Sequence, residues 1–311
     1  MRATIPWILT FALVNGAFAP ARAADLNFTA NTPGEKRIVS CSDIDMRFWK
    51  DRLERDGIVT ARRDRTVALR ADPSTPLKVK APARGGIRVQ PSSDGTFAAF
   101  VCMAAGAGSD AAAQAILDRL EVHNDRGELS VTGPDTGDWA AYVVLSAPPG
   151  LAMELSAMNG ELTLRDVDGR FTLRTTNGPI SLAHVGGEVD AEAVNGPIAY
   201  RGHAGDVRLA TQNGPVGVDL DAPSWSGKGM DASTQNGPIH FSAPSGLKCG
   251  VQVESSTGSP ATWNGQSQPI GDGSGTRSYR FGEGPVLVRV STQHGPLEIR
   301  APRRARRGTT I

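Results

Sequence analysis

Residues 175–180 read TTNGPI, 193–198 AVNGPI, 211–216 TQNGPV and 234–239 TQNGPI. Their Asn-Gly pairs belong to one series that starts at Asn159 and continues at Asn177, Asn195 and Asn213, in steps of 18 residues. It resumes at Asn236 after a five-residue insertion, weakens to Thr257-Gly258, and ends as His294-Gly295. Ile180, Ile198, Val216 and Ile239 follow the Gly-Pro pairs, and Leu297 repeats the pattern after His294. A fixed internal period of this kind outranks every other signal in the chain.

The residues before each Asn-Gly align as well. Phe171, Val189, Val207 and Met230 form one column. Leu173, Ala191, Leu209 and Ala232 form the next, and Thr175, Ala193, Thr211 and Thr234 a third. Val288, Val290 and Thr292 repeat these columns before His294. Polar residues alternate with them, the period of two expected of a half-buried strand. A second turn falls inside each unit, at Asp168-Gly169, Gly186-Gly187 and Ala204-Gly205. Each unit therefore reads strand, turn, strand, turn. Such a short strict period suits coils stacked at a strand spacing of about 4.8 Å. The expected fold is all-β, a parallel β-helix or β-solenoid of 18-residue coils, with one short helix in the N-terminal half.

Three details of that fold follow from residue type. Asn and Gly at the corner are expected to supply positive φ. Asn159, Asn177, Asn195, Asn213 and Asn236, with His294, are expected to stack as a turn ladder, their side chains able to hydrogen-bond from coil to coil. The outward columns read Arg170, Glu188, Asp206; then Thr172, Asp190, Arg208; then Arg174, Glu192, Ala210. Opposite charges thus fall on adjacent strands, and a slip of one residue would bury them.

Composition agrees with a narrow core. Glycine is 36 of 311 residues and aromatics are 5%. Lys+Arg is 33 against 32 Asp+Glu, which argues against a dedicated nucleic-acid binder. Residues 1–23 carry Arg2, an apolar run from Ile8 to Phe18, and Ala21-Arg22-Ala23, the pattern of a cleaved signal peptide. No second apolar run is long enough to span a membrane. The chain is therefore expected to be exported, to the periplasm or the cell surface. Export permits disulfides. Of Cys41, Cys102 and Cys249, the first two share the N-terminal half and are the favoured pair; the alternative is three buried thiols.

The expected organisation is an irregular region at 24–66 and a β-solenoid body at 67–300. Regular repeats occupy 151–243, a closing coil 282–300, and a basic tail 301–311 with Arg303, Arg304, Arg306 and Arg307. Met46 to Asp56 has helix-forming composition but could equally be a charged loop. Ser109-Asp110 caps AAAQAILDRL, a short helix. Residues 258–284, rich in Gly, Ser, Pro and Gln, read as a long excursion.

The T-x-N-G-x-I units, the intervening Gly187-Glu188-Val189 and Gly205-Asp206-Val207, the Pro-Gly entry at 149–150 and GEGPVLVRVSTQHGPLEI at 282–299 resemble a family of bacterial exported β-strand-repeat proteins. Its members are named as adhesins and their function is unknown. The resemblance covers about Val67 to Ile299, and residues 24–66 depart from it. It implies a stacked β-solenoid with a surface or adhesion role.

Chemistry is sparse. Arg174, Asp190, Glu192 and Arg208 are the one cluster the register assembles, and they read as structural ion pairs rather than catalytic groups. His184 and His203 lie in nearby turns and could share a metal, but without converging carboxylates they make a poor zinc site. Asn177, Asn195 and Asn213 offer calcium only neutral oxygens. No metal and no cofactor is expected. Trp225, Trp263 and Tyr279 are the rings that could form sugar platforms, and singly they read as packing elements. The expected function is a non-enzymatic, adhesin-like or envelope-associated binding or scaffold protein, with cell-envelope polysaccharide or protein as partner. The alternatives are a polysaccharide lyase or hydrolase on the same scaffold, or a structural partner of other periplasmic proteins.

Overall fold

The computed structural model of the protein describes residues 37–44, 58–70, 72, 74–135, 138–256, 261–263, 266–267 and 277–300. The signal segment, the 46–56 stretch, Thr257-Gly258, most of the 258–284 excursion and the basic tail lie outside the described residues. The rest is all-β, with one α-helix and two large, mostly parallel sheets. Among the described residues, one sheet has 12 strands and the other 11.

Each repeat gives a long strand to the 11-stranded sheet and a short one to the 12-stranded sheet. The long strands are Asp168–Asn177, Gly186–Asn195, Ala204–Asn213 and Ser226–Asn236. The short ones are Ile180–Ala183, Ile198–Gly202, Val216–Leu220 and Ile239–Ser242. Neighbours run parallel and keep the sequence register: Ile180 lies beside Ile198, Ile198 beside Val216, Val216 beside Ile239, and Ile239 beside Leu297. Phe171, Val189, Val207, Met230 and Val288 likewise stack. The inward columns of both sheets join in one hydrophobic core. Its narrowness is the physical reason for Val, Ile, Leu and Ala in place of rings.

The third inward column carries hydroxyls. Thr175, Thr211, Thr234 and Thr292 are buried, and each donates to the carbonyl of a corner glycine: Gly160, Gly196, Gly214 and Gly237 respectively. A buried hydroxyl needs such a partner, so threonine is tolerated there because the corner supplies one.

The corner differs from expectation in one respect. None of the Asn-Gly residues has positive φ. Glycine is required there by close approach: a Cβ on Gly178, Gly196, Gly214, Gly237 or Gly295 would collide with the carbonyl oxygen of the glycine one coil before. Positive φ belongs to the opposite corner, at Asp166, His184, Gly187 and Gly205. The corner asparagines do bond to one another. Asn177 Nδ2 donates to Asn159 Oδ1, Asn195 to Asn177 and Asn213 to Asn195, each at 2.9 Å, and Asn236 donates to Asn213 at 3.0 Å. Asn159 begins the row by donating to Ala83 O at 3.0 Å, and His294 lies in register with Asn236. Because the row is exposed, water replaces a lost amide. Asn195→Ala is therefore expected to cost only about 1 kcal/mol in urea unfolding.

The insertion before Asn236 folds Trp225 inward, against Tyr200 with ring centroids 5.9 Å apart. Its indole nitrogen donates to Gly205 O at 3.0 Å.

Both ends of the stack depart from simple succession. The strands Leu77–Lys80 and Ile87–Pro91 form the coil beneath Leu151–Ala157 and Leu162–Arg165. The intervening chain leaves and returns outside them, as Ala98–Ala107, the helix Asp110–Leu117, Glu121–Asp125, Glu128–Thr132 and Asp138–Ala147. Ser109 caps the helix, its Oγ accepting from the Ala112 backbone. The terminal strand of the 12-stranded sheet, Val59–Ala68, is antiparallel to Ala98–Ala107. It begins inside 24–66, so part of that region belongs to the sheet. At the other end Val286–His294 stacks on Ser226–Asn236, and Gly250–Ser255 lies outside it. The strand Val286–His294 thus lies between two strands that precede it in the chain. Both sheets end in antiparallel strands.

A second, small core sits on the outer face near the N-terminus: Ile38, Ile44, Cys102 and Val144. Gln90 holds Ile38 by both its amide nitrogen (3.0 Å) and its oxygen (3.1 Å). Cys41 is joined to Cys102 by a disulfide, while Cys249 is free and buried.

Candidate functional site

The outer face of the 11-stranded sheet has two regions of opposite character. In the first, Arg174 is the hub. Its Nη2 lies 2.8 Å from Asp190 Oδ2 and its Nε 3.2 Å from Glu192 Oε2, while Nη1 donates to the carbonyls of Leu173 and Asp190. Arg170 pairs with Glu188 at 3.0 Å. Arg208 is the strand neighbour of Asp190 but forms no ion pair with it; the carboxylate turns to Arg174 instead. Both candidate carboxylates are thus committed to one guanidinium.

The second region begins where the register slips. One extra residue enters between Ser226 and Gly229, opposite Ala204 and Asp206. The slip places Gly229 in the outward column that holds Arg170, Glu188 and Asp206, so one tooth of the column is missing. The result is a groove of about 470 Å³. Gly229 forms part of its lining together with Leu287, Arg208, Asp231, Arg289 and Lys228. Lys228 is held by Asp206 at 2.9 Å.

At the corner of the 12-stranded sheet, His184 and His203 are joined by two carboxylates that the sequence reading did not connect to them. His184 Nδ1 lies 2.9 Å from Asp166 Oδ1 and its Nε2 3.1 Å from Asp221 Oδ2. His203 Nδ1 lies 2.6 Å from Asp221 Oδ1. Carboxylates therefore do converge on these histidines, contrary to expectation. The signal was in the spacing: 166, 184, 203 and 221 are one coil apart, so the stack aligns them. Nearby in sequence, Arg201 Nε lies 3.6 Å from Asp219 Oδ2. Burial, the largest cause, raises the Asp219 carboxyl above its ordinary value, and Arg201 opposes the rise. Along the stack the order is acid, imidazole, imidazole, acid, and Asp221 bridges both histidines. Among the described residues, no group of three or more His, Cys, Asp or Glu side chains is placed to hold a metal ion.

The rings are packing elements where they are described. Trp225 and Tyr279 are buried, and the Trp263 side chain lies outside the described residues. No described helix is long and apolar enough to cross a membrane.

No family model matches the chain, and no curated protein matches it. Several solved structures are similar to it. A "putative adhesin" from Parabacteroides merdae shares 9% identity over 78% of this chain and 96% of its own, with a TM-score of 0.42. A "putative adhesin" from Bacteroides fragilis shares 13% over 78% and 97%, with a TM-score of 0.36. A "putative lipid binding protein" from Parabacteroides distasonis shares 8% over 78% and 97%, with a TM-score of 0.33.

Proposed function

We propose that the chain is an exported, non-enzymatic β-solenoid, adhesin-like or envelope-associated, that binds or scaffolds cell-envelope material on its outer faces. The observation that carries this reading is the stacking of whole coils in one register, which lays like residues side by side across many parallel strands. A surface that repeats at strand spacing suits an extended, repeating ligand better than a small substrate held in a closed cleft. The acid-base groups support it too. Asp190 and Glu192 share Arg174, and His184, His203, Asp166 and Asp221 bond to one another. A general acid or base needs a free proton-transfer partner at the substrate, and these groups spend their contacts within the protein. The disulfide supports an oxidising compartment.

Residues 24–311 applied to a glycan array and to a polymer-turnover assay test the reading. Retention of a polymer without shortening it is expected, and Asp190→Asn, Glu192→Gln and Asp221→Asn should bind as the parent does. Depolymerisation lost in Asp190→Asn or Glu192→Gln would replace this reading with a lyase or hydrolase. Absence of any retained polymer would remove the binding role.

A further inference from the structure

The outward row through Arg208 continues farther than the groove. Arg208 lies beside Asp231, and Asp231 beside Arg289. Arg289 lies beside Gln252, and Gln252 beside Arg280. Arginine therefore recurs on every second strand, with Asp231 and Gln252 between. Two strand spacings separate successive guanidinium positions, about 9.6 Å from the usual interstrand distance. Arg208, Arg289 and Arg280 are exposed. Among the described residues, the side chains of Arg208 and Arg289 form neither an ion pair nor a hydrogen bond, and that of Arg280 donates to the Gly284 carbonyl. Among the described residues, the Asp231 carboxylate, although flanked by two arginines, also forms no ion pair or hydrogen bond. This is the reverse of the Arg174 region, where every charge is paired.

We propose that this row, Arg280, Gln252, Arg289, Asp231, Arg208, binds an acidic polysaccharide whose acidic groups recur on alternate sugars. The inference rests on the binding role above and names its ligand class. Arginine forks donate bidentately to carboxylate or sulfate groups. The spacing of alternate strands is comparable to a disaccharide in an extended chain. Asp231 accepts hydrogen bonds from sugar hydroxyls, and Gln252, whose Nε2 already donates to Glu254 Oε1 at 2.5 Å, offers its amide oxygen as an acceptor. The groove left by Gly229, with Leu287 in its lining, gives the apolar face of a sugar a place to sit. The same Asp231 and Asp206 argue against phosphate-lined partners. A nucleic acid or an anionic lipid surface presents anions throughout and few donors, and would meet these carboxylates with repulsion.

Titration of residues 24–311 with hyaluronan, dextran and phosphatidylglycerol vesicles tests the proposal, because hyaluronan carries carboxylates on alternate sugars and dextran carries none. Saturable binding to hyaluronan alone is expected. Arg208→Ala with Arg289→Ala should weaken it at least tenfold without moving the urea midpoint, since both side chains are exposed. Asp231→Ala separates recognition from simple charge attraction. Loss of a hydroxyl acceptor should weaken hyaluronan binding severalfold, whereas unspecific attraction would strengthen it. Undetected hyaluronan binding, tighter binding to vesicles, indifference to the arginine changes, or strengthening by Asp231→Ala would each overturn the proposal. Failure with hyaluronan while other glycans are retained on an array would remove this row but leave the broader binding role standing.

Discussion

Cys41→Ala is expected to lower the stability of the oxidised protein by about 4 kcal/mol, from the chain-entropy relation for a closed loop of this length. The bonded cysteines are 61 residues apart. The loop they close contains the terminal strand Val59–Ala68 and the first coil, Leu77–Lys80 with Ile87–Pro91. The segment around Ile38 and Ile44 is also held by its small core and by Gln90. Urea unfolding without reductant measures the difference, and Cys249→Ala is the control. That thiol is buried but unpaired, so its removal should cost no more than a small core truncation, about 1 kcal/mol. Equal midpoints for Cys41→Ala and the parent would show that the outer segment contributes nothing to the stack.

Gly196→Ala should cost about 3 kcal/mol, the upper part of the range for overpacking. Its φ is not left-handed, so alanine fits the backbone and the experiment isolates contact alone. The new methyl would press on the Gly178 carbonyl. That neighbour is backbone, hydrogen-bonded within the parallel stack, and cannot rotate away. Gly108→Ala is the matched control: a Cβ there meets nothing within 4 Å. It should fall within about 0.5 kcal/mol of the parent. If Gly196→Ala proved as mild as Gly108→Ala, the corner glycines would be serving turn flexibility after all.

The contrast between these glycines shows how much could be read from sequence. Positive φ and close approach both select glycine, so the residue type marked the corner correctly while leaving its cause open. Register was legible because the inward columns hold apolar residues or threonine, and one slipped residue would bury Arg170 or Arg174. The His184–Asp221 contact was not legible from local pattern, since it spans two coils and 37 positions. Counting by coils would have found it. The groove was hidden for another reason. The insertion before Asn236 was plain, but only the structure shows that it shifts Gly229 into an outward column. The order of strands at the two ends also escaped the sequence, because edge strands carry the same alternation as interior ones.

The strand Val286–His294 lies between Ser226–Asn236 and Gly250–Ser255, although both precede it in the chain. A product that stops short of it leaves two unfinished sheet borders facing each other, each with bare amide and carbonyl groups. Completeness is thereby proofread by geometry: an interrupted polypeptide exposes its own defect to proteases, while a finished one hides it.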